Sequence, residues 1–145
     1  MIIDMSLNVL IVDDSAVMRA MVARTLRLSG LPVGEIYEAS NGAEALDMLD
    51  KYWIDLALVD IHMPVMNGEQ MIERVKERPD TADLPIVVVS SEGSIERVEN
   101  LRNQGVLFIQ KPFTPETLKH VVENVVGVKH DTDRTGAFQS NGADF

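Results

Sequence analysis

The chain has 145 residues, 46% of them apolar, which is enough for one compact domain with a sizeable core and argues against two. Its 23 acidic against 13 basic residues leave a formal charge of −10, which repels phosphate backbones and anionic lipid, so neither nucleic acid nor a membrane surface is expected as a partner. The absence of cysteine excludes disulfide frameworks, zinc thiolate sites and thiol nucleophiles, and a cytoplasmic location fits.

The longest apolar stretches, near Val9 to Val12 and Ile86 to Val89, fall far short of the roughly 18 residues that a membrane span requires. The first residues carry Asp4 and neither Lys nor Arg, unlike a secretory signal. The first element is the run Asn8-Val9-Leu10-Ile11-Val12, which stops at Asp13-Asp14 as a buried strand does at a sheet edge. From Ser15, a candidate cap, Val17, Met18, Met21, Val22, Thr25 and Leu26 recur at helical spacing up to Gly30. Ile36 to Ala39 reads as a weak second strand, and Asn41-Gly42 leads into a short second helix through Ala45, Leu46, Met48 and Leu49.

Asp55 to Asp60 repeats the first strand's pattern of apolar residues ending in an acid. Met63 to Gly68 is a loop by its Pro and Asn-Gly, and Met71, Ile72 and Val75 mark a third helix ending before Pro79. Pro85 to Ser90 is a fourth strand, Ile95, Val98 and Leu101 support a fourth helix, and Val106 to Ile109 is a fifth strand. Leu118, Val121, Val122, Val125 and Val126 form a fifth helix after Pro115. Beyond Gly127 the apolar period disappears, so residues 1–6 read as a leader, 7–126 as the domain and 127–145 as a mobile tail.

Strict alternation of five strands and five helices predicts an α/β domain with a doubly wound parallel sheet, because parallel neighbours need crossover connections. Ligands bind such a sheet beyond the carboxyl ends of its strands, where the sequence places Asp13, Asp14, Asp60, Ser90 and Lys111. Three carboxylates gathered there need a cation, and an oxygen-only ligand set favours a hard ion such as Mg²⁺. Lys111 and Ser90 could clamp the oxygens of a transferring phosphoryl group, leaving Asp60 as candidate nucleophile for an aspartyl phosphate. Any one of these residues has a commonplace structural use as cap or turn; their joint occurrence does not. The histidines His62, His120 and His130 are too scattered for a metal cluster.

Val12-Asp13-Asp14-Ser15, Val59-Asp60 with Met63-Pro64-Val65-Met66-Asn67-Gly68, Val89-Ser90-Ser91-Glu92 and Gln110-Lys111-Pro112-Phe113 resemble, in order and spacing, the four signature segments of response-regulator receiver domains. The resemblance covers about residues 7–126 and is strongest to stand-alone, chemotaxis-type (CheY-like) receivers, implying a flavodoxin-like sheet. It implies that Asp60 accepts phosphate from a histidine kinase's phosphohistidine, with Asp14, Asp60 and the backbone carbonyl of His62 binding Mg²⁺ and Asp13 acting through a water. It further implies that Lys111 pairs with Asp60 at rest, that Ser90 and Phe108 are the switch residues, and that Lys111-Pro112 is cis. By the same resemblance, His62 and Glu92 fall at variable positions and are expected to tune phosphate lifetime.

The same resemblance places an effector-binding face on helix four, strand five and helix five, around Ile95, Arg97, Phe108 and Lys119, in a monomer or phosphorylation-dependent dimer. Such a protein is a switch rather than an enzyme, catalysing only its own phosphorylation and dephosphorylation. The alternatives are a phosphate sink or relay intermediate with no effector of its own, and a flavodoxin-like cofactor binder. The last is disfavoured by acids where a flavin phosphate would sit.

Overall fold

Strands that are apolar on both faces must be covered on both sides, and the chain meets that condition by lining up five strands in one parallel sheet, with the more polar runs at its edges. The computed structural model describes residues 6–63, 65–91 and 95–134, the side chains of 95 and 127–134 excepted. In chain order the elements are β1 (Leu7–Val12), α1 (Ala16–Leu28), β2 (Val33–Ala39), α2 (Gly42–Lys51), β3 (Leu56–Val59), α3 (Gly68–Glu77), β4 (Ile86–Ser90), α4 (Ile95–Asn103), β5 (Leu107–Gln110) and α5 (Pro115–Arg134). The sheet order is β2-β1-β3-β4-β5 with every neighbouring pair parallel, the doubly wound sheet expected from the alternation, in the flavodoxin-like form implied by the resemblance.

The two-residue period of the strands divides the core into two layers. Leu10, Val12, Ala57, Val59, Ile86 and Val88 face Ala45 of α2, Met71 and Ile72 of α3 and Leu101 of α4. Val9, Ile11, Leu56, Leu58, Val87 and Val89 face Val22 and Leu26 of α1 and Leu118 and Val122 of α5. Each fully buried large aliphatic side chain contributes about 1.5–3 kcal/mol, so the sheet is a firm platform for whatever its ends carry. No helix among the described residues is long and apolar enough to cross a membrane.

Two expectations from periodicity need correction. Val17 and Met21 do not join the core of α1, being 69% and 56% exposed. The buried stripe runs through Val22 and Leu26; at about 100° per residue Met21 lies about 100° and Val17 about 140° around the helix from Val22. Helix α5 also runs on to Arg134 instead of ending where the apolar period does, at Val126. A formed helix adds one backbone bond per residue and needs no apolar face to continue. The first five residues of the leader and the tail from residue 135 lie outside the described residues.

The β3–α3 connection fixes where the end of β3 points. Asn67 caps α3 by accepting from Gln70 N–H at 2.9 Å, while the Gln70 side chain accepts from Asn67 N–H at 3.0 Å. This box sets Gly68 directly on the backbone of Asp60: Gly68 N–H donates to Ile61 O at 3.0 Å, and a Cβ at Gly68 would collide with the Asp60 carbonyl oxygen and come within 2.9 Å of Ile61 Cα. Nearby Val65 is 83% exposed and has φ of 66°, a left-handed conformation that a β-branched residue adopts only under strain.

Gly68→Ala should therefore lower stability by about 2 kcal/mol, because backbone must shift to admit the methyl. Val65→Asn should raise it by about 1 kcal/mol, since Asn tolerates the left-handed region. Urea unfolding checks both; a Gly68→Ala midpoint equal to wild type, or a lowered midpoint in Val65→Asn, contradicts this view of the loop.

Candidate functional site

The parallel register delivers the chemistry-bearing residues to one edge. Val12 pairs with Val59, and Asp60 N–H donates to Val12 O at 2.9 Å, so Asp13, Asp14 and Asp60 leave adjacent strands together. Ser90 pairs with Gln110, and Lys111 N–H donates to Ser90 O at 2.9 Å, which brings the lysine to the same edge. Carboxylate oxygens of Asp13, Asp14 and Asp60 all lie within 4.8 Å of one another. Asp13 and Asp60 are buried and Asp14 is exposed, so the cluster has an inner wall and an open mouth.

Asp13 is held on both oxygens: Oδ1 accepts from Ser15 N–H at 2.9 Å and Oδ2 from Lys111 Nζ at 3.3 Å. Its backbone carbonyl accepts from Arg19 at 2.7 Å, and Arg19 also pairs with Glu38 of β2 at 2.8 Å. The ammonium of Lys111 thus rests on Asp13, whereas the resemblance implied Asp60. The Ser15 N–H turns the second oxygen of Asp13 toward the lysine, and the burial of that pair, with 5% and 19% of the side chains exposed, reinforces the contact.

Burial pushes the Asp60 carboxyl above the usual carboxylate range. The Lys111 charge opposes that shift and Asp13 adds to it, while N–H groups of His62 and Ile61 donate to the carboxyl and favour its charged form. Ser90 is completely buried at the end of β4. Phe108 is half-buried on β5 opposite Val88, on the sheet face covered by α2, α3 and α4. The Lys111-Pro112 bond is cis, as expected.

An open recess of about 270 Å³ adjoins Asp60 and is lined by Asp14, Ile61, His62, Met63, Asn67 and Arg97. The larger cavity, about 430 Å³ between residues such as Leu7, Trp53, Leu84 and Val126, lies at the opposite end of the strands and holds none of the expected site residues. Arg97 and Phe108 lie on α4 and β5, and Lys119 is exposed on α5; Glu92 and the side chain of Ile95 lie outside the described residues. Two supporting groups escaped the sequence. Arg19, one turn into α1, steadies the Asp13 backbone, and Glu69 holds Arg97; Met18-Arg19 after Asp13-Asp14-Ser15 belongs to the resemblance to chemotaxis-type receivers, which gave Arg19 no role.

The chemistry of this donor set suits a hard divalent ion: three carboxylates, no nitrogen or sulfur ligand in the cluster among the described residues, and mutual repulsion that a cation would relieve. The same charges wall off the place where a flavin phosphate would need a neutral or positive cradle.

A family model of the response regulator receiver domain matches residues 9–123. The chain is similar to the chemotaxis protein CheY homolog of Campylobacter jejuni, at 37% identity over 83% of this chain and 93% of that one. It is similar also to CheY1 of Helicobacter pylori, at 36% identity over 83% and 98% of the two chains. The structure of Vibrio cholerae chemotaxis protein CheY4 superposes with a TM-score of 0.73 at 34% identity, covering 83% of this chain and 98% of that one. With a matched segment that includes the three strand-end acids, the buried serine and the lysine, the chain belongs to the response regulator receiver domain family.

Proposed function

We propose that the chain is a phosphoacceptor switch in a two-component pathway, of the kind that serves chemotaxis, with Asp60 as the acceptor. The observation that carries this reading is the cluster of Asp13, Asp14 and Asp60 oxygens within 4.8 Å, beside the Lys111 ammonium. Asp14, Asp60 and the His62 carbonyl would hold Mg²⁺, with Asp13 acting through a water. When bound there, Mg²⁺ supplies the charge neutralisation that lets an anionic phosphoryl group approach a carboxylate.

An Asp60 oxygen attacks the phosphorus of a kinase phosphohistidine; the phosphorus–nitrogen bond breaks, and the electron pair leaves with the imidazole, which takes up a proton. Lys111 then exchanges its contact with Asp13 for a phosphoryl oxygen, and the Ser90 hydroxyl donates to another. Reversing a two-state equilibrium takes about 5.5 kcal/mol of differential interaction, and those two charge-assisted bonds are the source proposed here. Movement of Ser90 and Phe108 would pass the change to α4, β5 and α5, where a partner protein reads it. His62, exposed beside the carboxyl, and Glu92 would set how long the phosphate lasts. The chain on this reading turns over no separate substrate.

Intact mass after incubation with acetyl phosphate tests the proposal: one phosphoryl increment is expected, lost in Asp60→Asn and lost with a chelator. An increment that survives either change contradicts the assignment. No increment at all, in folded protein that binds Mg²⁺, points instead to a receiver-type interaction module that signals without phosphate.

The burial of Asp60, with Asp13 beside it, also has a signature in stability. Folding raises the Asp60 pKa, so this group's favourable contribution is complete below the unfolded carboxylate range and is lost as pH rises through the folded value. Above that value the charged carboxylate opposes folding. In Mg²⁺-free buffer, Asp60→Asn should melt higher than wild type at pH 7, and the gap should shrink toward about pH 4. Saturating Mg²⁺ should stabilise wild type by about 1–3 kcal/mol and Asp60→Asn much less. A gap that is absent, or that grows on acidification, overturns this description of the cluster.

A further inference from the structure

Arg97 comes from α4, not from a strand end, yet it lines the same recess as Asp14, Ile61 and His62. Its guanidinium is forked onto Glu69 of α3, with Nε donating to Oε2 at 3.1 Å and a terminal nitrogen to Oε1 at 2.6 Å. Both side chains are about one-third exposed, at 33% and 34%. That exposure leaves the fork within reach of the recess, so another anion with two oxygens can exchange with Glu69 for the same two N–H donors. The remaining charges of the site do not welcome an anion: Asp14 and Asp60 repel it, and Lys111 rests on Asp13. Arg97 is the permanently cationic residue of the recess lining, and its planar fork matches a carboxylate.

We propose that Arg97 binds the leaving carboxylate of a small acyl-phosphate donor, and that Glu69 holds it in reserve. The inference rests on Asp60 being the phosphoacceptor. In the transfer, an Asp60 oxygen forms a bond to phosphorus while the bond from phosphorus to the donor's acyl oxygen breaks. The electron pair departs with the carboxylate, and no proton moves. Negative charge grows on that leaving group, and a guanidinium fork facing it stabilises the transition state more than the ground state. A donor such as phosphoramidate, which releases neutral ammonia, gains nothing from the fork.

Initial rates of Asp60 phosphorylation from acetyl phosphate and from phosphoramidate, with Mg²⁺, test this in wild type, Arg97→Gln, Glu69→Gln and the double variant. Arg97→Gln should slow the acetyl phosphate reaction about tenfold, as loss of a charge-assisted bond does, while phosphoramidate rates stay within about twofold. Glu69→Gln should speed the acetyl phosphate reaction, and the double variant should behave as Arg97→Gln. With Mg²⁺ bound, acetate, the leaving carboxylate itself, should shift the Arg97 Nε–H resonance, more so in Glu69→Gln. If both single variants change rates in the same direction with both donors, or if the resonance does not respond, the fork is a structural tie and the proposal fails. A wild-type chain that accepts phosphate from neither donor fails earlier, at the phosphoacceptor reading itself.

Discussion

Three carboxylates held within 4.8 Å of one another at the ends of two adjacent strands repel, and much of the molecule serves to keep them there. The strands below them are apolar on both faces and covered by helices on both sides, so the edge cannot relax by splaying. Ser15 and Lys111 fix the two oxygens of Asp13, Arg19 ties its backbone toward β2, and Gly68 seats α3 against the carbonyl of Asp60. The repulsion is stored in a rigid frame. A frame of that kind can gain more from a cation and a phosphoryl group than a flexible one could, because no reorganisation is needed when they arrive.

The direction in which the site communicates follows from where its members are attached. Ser90 ends β4 and Lys111 follows β5, the two strands on the side away from β2, and β5 carries Phe108. Helices α4 and α5 both pack on β5 from opposite faces, through Leu101 and Leu118. A change in what Ser90 and Lys111 bond to thus acts on strands that adjoin α4 and α5, whereas β2 lies at the far edge. Arg97 belongs to both neighbourhoods, since it stands on α4 and lines the recess beside Asp60.

Much of this was legible in the sequence because the signals were strong where physics is local. Apolar runs ending in acids located β1, β3 and the carboxylates, and strict alternation located them at one edge of a parallel sheet. Asn67-Gly68 marked a turn, while the cap that Asn67 makes and the close approach of Gly68 to Asp60 emerge only in the structure. What the sequence did not carry were contacts that depend on side-chain direction. The partner of Lys111 is decided by a backbone N–H that aims Asp13, and the Arg97–Glu69 pair joins helices whose relative rotation no periodicity fixes. Val17 and Met21 share the spacing of the core residues of α1 but sit about 100° or more off its buried stripe, a difference only packing resolves. Helix α5 outran its apolar pattern because backbone bonding alone extends it.

The central claim is that phosphate joins this chain at the Asp60 carboxyl and nowhere else, and an acyl phosphate can be told from every other phosphoryl linkage by its reactivity. Borohydride treatment of the phosphorylated protein, followed by peptide mass analysis, reads the site directly. Conversion of residue 60 to homoserine, with Asp13 and Asp14 intact, is the expected result. Phosphorylated protein that resists reduction, or that is reduced at another acid, would contradict the assignment of Asp60 and the site built around it.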